Sequence, residues 1–440
     1  LTDDPKQNNN NQALLSNNIR AITQFDDNQV WLATHNGLNT INLLNNNIES
    51  YQSNAKATSI NENWLMDIYR DSNNNMWLAS YGGGLNKHSP LTSLFYHGLE
   101  SDGNQNYRVE SFAETSDGTV WLSTEQNGLF SINRGKSNKQ EIFELKNNII
   151  QLMSDDKGDL WLLTENNKLF IFKTDFSKLI EHKEWSIKSR PLINSPVIIM
   201  NNKIWFIDQM GSLSSYDLTQ QQFLKYPLPD NNNFINIHKD KFDNLWLLSS
   251  RKKLLNFNTI QSEFNKNAIT LDNSIDIKSI KNIRITTENI FLGSDSQGLT
   301  VQNRESGEIT LLNESNQLKN NYIASMIIDS KDSVWLATNT GINHILLNKK
   351  DILTFDSDFG IYNPEFTKHS ILITKKNRIY LGTPEGYYTF SLDAVGQIKQ
   401  NISPPIFTNL YVANKRIAVQ PYTKNKNKNK VFTIKKQLNY

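Results

Sequence analysis

Ten residues mark where this sequence could engage a ligand: Trp64, Tyr81, Tyr107, Arg108, Glu125, Gln126, Glu165, Arg251, Tyr322 and Asn339. Amides, carboxylates and guanidinium groups beside aromatic rings suit a small polar, ring-bearing ligand such as an oligosaccharide. The plain alternative for any one of them is a solvated loop with an incidental aromatic. Catalysis has no comparable signature. His35, His88, His97, His182, His238, His344 and His369 are scattered without metal-ligand spacing. There is no H-E-x-x-H pair, phosphate-binding loop, nucleophile elbow or dinucleotide fingerprint. The chain has no cysteine, which excludes disulfides, thiolate metal sites and a cysteine nucleophile. No catalytic residue, metal ligand or cofactor is therefore expected. Two carboxylates from distant segments could still meet as an acid/base pair, as a polysaccharide hydrolase would need.

Something regular must position the ten. Each lies either four or five residues after, or thirteen or fourteen before, a large aromatic that recurs along the chain. The recurring phrase is an aromatic, two small or apolar residues, Thr or Ser, a polar loop and usually Gly-Leu. It begins at Trp31, Trp77, Trp121, Trp161, Trp205, Trp246, Phe291, Trp335 and Tyr380, at intervals of 46, 44, 40, 44, 41, 45, 44 and 45 residues. A period of about 40–50 residues filled with short strands predicts the blades of a β-propeller. In the eighth copy, residues 322–329, 334–338, 342–347 and 352–355 read as four strands joined by Asn/Asp/Gly turns, an antiparallel meander. The fold class is therefore all-β.

Within a blade the aromatics are expected to pack between sheets, and the Thr or Ser three residues on to tie neighbouring strands; Asp208 is the exception there. Asp71, Asp155, Asp240 and Asp329, six residues before an aromatic, read as turn formers rather than calcium ligands, which need several converging oxygens. In a four-strand meander the second-to-third turns and the inter-blade connections share one face of the ring. All ten candidates fall there, away from the repeat's fixed positions.

Composition narrows the class further. Hydrophobic residues make up 38% of the chain, which suits thin sheets buried against one another. The formal net charge of +2 gives no footprint for nucleic acid. No apolar run approaches the roughly 18–20 residues of a membrane span, and the polar, Asn-rich start is no signal peptide. Beginning at Leu1, the sequence reads as a piece of something longer, with any membrane anchor outside it. Lys424 to Lys430 alternate with Asn and read as a solvated hairpin tip, or as an attraction for an anionic glycan or membrane surface.

The pattern N-x-[IV]-x-x-I, a D/G turn and W-[IL]-[GA]-T-x-x-G-L, best seen at Asn17–Leu38, Asn63–Leu85 and Asn321–Ile342, resembles the two-component regulator propeller repeat. Pro404 to Lys415 resembles the opening of the β-sandwich, the Y_Y_Y domain, that follows such propellers. By this resemblance the chain divides into the last two blades of a preceding propeller (1–105), a seven-bladed ring (106–400) and a truncated sandwich (401–440), although an eight-bladed ring with one spare repeat fits the count as well. The function implied is ligand sensing, without catalysis, by the periplasmic region of a membrane-anchored bacterial receptor. That receptor would be a homodimer whose output domain is a histidine kinase or diguanylate cyclase. The rival readings are an extracellular propeller hydrolase or lyase acting on polysaccharide, and a protein-interaction scaffold of the WD-repeat kind.

Overall fold

In the computed structural model the chain is described over residues 13–396, apart from 55–58, 100–106, 141–147, 173–178, 183–190 and breaks of one to three residues. Beyond these, the strands Leu410–Val412 and Lys415–Ile417 are described. Leu1–Gly396 forms one compact unit and Gln397–Tyr440 a second. The molecule is nearly all β, in four-stranded antiparallel sheets whose strands follow chain order. The eighth repeat shows the agreement with the sequence: its strands are Ile323–Ile328, Val334–Thr338, Gly341–Leu346 and Asp351–Phe355.

Seven sheets close a ring. They span 109–140, 149–182, 198–225, 234–270, 280–312, 323–355 and 371–391, numbered here as blades 1 to 7. Inner strands of each blade touch those of the next, and Ile371–Ile373 of blade 7 returns to Val109–Glu114 of blade 1. Among the described residues, blade 7 supplies three strands of its own. Its fourth is Tyr96–Gly98, paired with Gly386–Ser391. Sequence spacing assigns this strand to the 1–105 segment, yet it completes the ring that begins at 109. At three residues it is too short to show an alternating pattern.

The anchors pack as a rule of the blade. Trp161 lies with Ile204 and Phe206 of the next blade, Trp246 with Ile280 and Leu292, Phe291 with Ile323 and Leu336. Tyr380 meets Val109 and Leu122, closing the circle. The Asp six residues upstream has a second task beyond its turn. One carboxylate oxygen accepts the indole N–H of the anchor, at 2.9 Å for Asp71–Trp77, Asp155–Trp161 and Asp240–Trp246, and 3.1 Å for Asp329–Trp335. The other accepts two backbone N–H groups of the turn, as Asp155 does from Lys157 and Asp159. Blade 1 uses the Thr115 hydroxyl at 3.3 Å, and in blade 3 the Trp205 Nε1 is buried without a partner among the described residues. The Thr or Ser after the anchor donates to a carbonyl across the next turn, as Thr34 does to Gly37 and Thr338 to Gly341.

Blades are also stitched near the axis. A β-bulge early in the first strand falls beside Ser111, Gln151, Asn236, Asn282 and Ser325. Bulges re-aim side chains, and each of these five bonds the backbone of the next blade or of the connection leading into it. Gln151 binds both the carbonyl and the N–H of Val197, at 2.7 and 3.0 Å, and Asn282 donates to the Ile323 carbonyl at 3.1 Å. Ser111 accepts from the Leu152 N–H, Asn236 donates to the Lys281 carbonyl and Ser325 to that of Thr367. Asn282→Ala, which leaves the Ile323 carbonyl without this donor, is expected to cost about 1–2 kcal/mol. A lowered urea midpoint with unchanged slope would report it; an unchanged midpoint would deny these stitches a role.

Two sheets precede the ring. Ile19–Asp26, Gln29–Thr34, Gly37–Asn42 and Ile48–Tyr51 make the first. Leu65–Arg70, Met76–Ser80 and Gly84–His88 make the second, which has three strands among the described residues. Trp31 packs against Leu65, Ile68, Met76 and Leu78 of the second sheet, as ring anchors do. The link to the ring is docked: Phe95 is buried among Phe355, Phe359 and Phe390. In the second unit, Leu410–Val412 pairs antiparallel with Lys415–Ile417. The rest of the sandwich expectation, and Lys424 to Lys430, lie outside the described residues.

Candidate functional site

Inner strands that converge on one axis leave a space at its end, floored by whatever those strands present. Here that space is a cavity of about 1130 Å³. Blades 1, 2, 3, 6 and 7 all contribute to its wall. Second-to-third turns bring Glu165, Asn167, Gln209, Asn339 and Pro384, and inter-blade connections bring Arg108, Pro191, Leu192, Tyr322 and the stretch Glu365–His369. This is the face on which the sequence places its candidates. Apolar side chains in the lining are Ile150, Leu152, Leu163, Val197, Phe366 and Ile371, interleaved with Ser111, Gln151 and Thr367.

Each polar group is held by its blade. The Thr164 hydroxyl closes the turn carrying Glu165 and Asn167, and Glu165 also accepts from the Asn148 amide at 3.2 Å. Thr338 likewise closes the turn of Asn339. Arg108 bonds Glu110 at 2.8 Å and lies 3.8 Å from Glu125. These ion pairs are partly exposed, so they orient the guanidinium more than they stabilise the fold. Lys368 lies over the Tyr322 ring, 5.9 Å from its centroid. His369 is held below its usual pKa by burial first, then by the charges of Arg284, Lys368 and Lys281, so its imidazole is neutral at neutral pH. A neutral imidazole both donates and accepts hydrogen bonds. The cavity thus mixes apolar side chains with amides, carboxylates and cations, a surface that can hydrogen-bond hydroxyl groups while covering an apolar ring face.

Of the ten candidates, the structure gathers Arg108, Glu165, Tyr322 and Asn339 in the cavity wall, with Glu125 beside Arg108. Tyr107 meets Phe130 edge-on at 5.7 Å and packs against the core between blades 7 and 1. Arg251 sits in an exposed turn of blade 4 outside this wall. Gln126 lies outside the described residues. Trp64 and Tyr81 belong to the second N-terminal sheet, apart from the cavity. Sequence reasoning missed Glu110, Gln209, Glu365, Lys368 and His369. A signal existed for some: Gln209 lies four residues after Trp205, and Glu365 to Thr367 lie thirteen to fifteen before Tyr380.

Among the described residues no cluster of three His, Asp or Glu could hold a metal ion, and no helix is long and apolar enough to cross a membrane.

No family model matches the chain. Over 107 residues it is 27% identical to histidine kinase P4 of Formosa agariphila, a match spanning 24% of this chain and 8% of that protein. In three dimensions it resembles the extracellular domain of a putative hybrid two component system from B. thetaiotaomicron, with a TM-score of 0.68 and 20% identity. That match covers 91% of this chain and 56% of the solved one. It also resembles a streptogramin B lyase, with a TM-score of 0.52 and 16% identity over 68% of this chain and 99% of the other. The chain therefore spans little more than half of the solved receptor domain and a small fraction of the kinase. Likeness at these identities bears on architecture, and with the closed ring of blades it establishes a β-propeller fold.

Proposed function

We propose that this chain is the ligand-sensing region of a bacterial signalling receptor, displayed outside the cytoplasm, in the periplasm, and that it binds a small polar ligand of the oligosaccharide class in the axial cavity. The observation that carries the reading is the cavity itself: five blades converge on a space where apolar side chains meet Arg108, Glu165, Tyr322, Asn339 and Lys368. Its volume exceeds the 300–1,000 Å³ common for small-ligand sites and suits a molecule of several sugar rings. Likeness to extracellular domains of two-component receptors and to part of a histidine kinase supports the sensing role. The region itself performs no chemistry; ligand shifts a homodimer of the parent receptor between two arrangements, which requires unequal affinity for them. We read the two N-terminal sheets as the last blades of a preceding ring, because the three-stranded second sheet has the make-up of blade 7 before its closing strand.

Calorimetry with neutral and acidic oligosaccharides of two to six units tests the site. Asn339→Ala and Glu165→Ala are each expected to weaken binding about tenfold, the equivalent of one good polar contact, without lowering the melting temperature. Binding unaffected by both would place the ligand elsewhere. A second reading has one observation behind it, the three carboxylates Glu110, Glu165 and Glu365 in one wall, which a glycoside hydrolase could use. Release of new reducing ends on long incubation would favour it over a sensor.

A further inference from the structure

The two aromatic candidates outside the cavity form an arrangement of their own. Trp64 precedes the first strand of the second sheet, Tyr81 opens the turn after Met76–Ser80, and His35 occupies the matching turn of the first sheet. Their rings stand in a row, His35 to Trp64 at 4.8 Å and Trp64 to Tyr81 at 4.7 Å between centroids. The row is fixed from below. The Tyr81 N–H donates to the Trp64 carbonyl at 2.8 Å, and Arg20 Nε donates to His35 Nε2 at 2.6 Å. Yet two of the three rings face water: Trp64 is 39% and Tyr81 62% exposed, whereas every anchor of the seven-bladed ring is buried. Two large aromatics held rigidly and left in solvent keep apolar surface uncovered that burial would stabilise. Among the described residues, the terminal nitrogens of Arg20 make no further bond and remain available as donors.

We propose that His35, Trp64 and Tyr81 form a second carbohydrate platform, on which a sugar ring of a glycan stacks its C–H face while Arg20 bonds its hydroxyls. Rigid aromatic rings lose little entropy on binding, and a flat, equatorially substituted pyranose offers the apolar face that an indole covers. The platform does not rest on the axial-cavity reading. A chain with both would grip a long glycan at two points, and avidity would favour polymers over short fragments.

Tryptophan fluorescence and calorimetry on the full chain, with cellohexaose, chitohexaose and xylohexaose, test it. At least one is expected to perturb the fluorescence and bind in the wild type. Trp64→Ala should weaken that binding about tenfold, while Trp64→Phe, which keeps a ring and guards against misfolding, should stay within about threefold. Arg251→Ala, in an exposed turn outside both sites, should leave the fluorescence response intact. No response to any of the three sugars, or equal binding by Trp64→Ala, overturns the platform. Binding lost in Asn339→Ala but kept in Trp64→Ala overturns it while upholding the cavity.

Discussion

Replacing Phe95 with alanine is expected to destabilise the ring by about 3–5 kcal/mol, among the largest costs of any single side chain here. Phe95 lies just before the strand that closes blade 7. Its ring is buried, 5.2 Å from Phe355, 4.7 Å from Phe390 and 6.3 Å from Phe359 between centroids. The first and third of these belong to the end of blade 6, the second to blade 7. Truncation would open a void across that seam and loosen the attachment of Tyr96–Gly98, whose pairing joins the start of the ring to its end. The preceding turn shares the load: Ser89 caps Pro90–Leu94, and Gly360, at φ +85°, lies so close to Thr92 that a side chain there would meet it. Urea unfolding read by the buried tryptophans measures the effect. Tyr96→Ala is the control: its side chain is about half exposed, and a loss below about 0.5 kcal/mol is expected. Equal losses in the two variants would mean that the closing strand, rather than the Phe95 plug, carries the seam.

The same strand shows where the sequence stops informing. Blades are legible because each is local: four strands within about 44 residues, punctuated by turn chemistry and one aromatic. Closure is not local. Tyr96 pairs with Thr389, nearly three hundred positions later, and a three-residue strand beside Pro90 and Gly98 has the composition of a linker. The candidate site divides in the same way. Which face a turn lies on follows from the order of the meander, so Glu165 and Asn339 could be placed before any coordinates. How near the axis a residue comes depends on the blade's twist and loop lengths, so Tyr107 packs against the core and Arg251 lies outside the cavity wall although both lie at favoured offsets. Regularity also concealed a partnership: the Asp before four of the anchors was legible as a turn former, but its bond to the indole depends on how the side chains meet in three dimensions.

That partnership carries the second large effect. Asp329→Ala is expected to cost about 2–4 kcal/mol at neutral pH, because it strands several buried donors together. Asp329 Oδ2 accepts from the Trp335 indole at 3.1 Å and the Ser333 hydroxyl at 2.6 Å, and Oδ1 from the N–H groups of Lys331 and Ser333. Ser333 in turn bonds His344, which stacks on Trp335 at 3.9 Å, so the carboxylate anchors one end of a connected set. Blade 1 suggests a partial rescue. Thr115 serves there as the acceptor, and Asp329→Thr should therefore lose less than Asp329→Ala. The charge leaves a separate mark in acid. Burial alone would raise the Asp329 pKa, but the bonds from Ser333, Trp335 and the backbone outweigh it and hold the value below normal. The same balance lowers the partly exposed Asp71 to about 2. A carboxyl whose folded pKa is depressed stabilises fully above the ordinary aspartate value near 3.9, and loses that contribution as pH falls through the folded value. The urea midpoint of the wild type should therefore decline below about pH 4, and its advantage over Asp329→Asn should shrink along with it. An advantage equally large at pH 7 and in strong acid would show that the carboxylate's shape matters there and its charge does not.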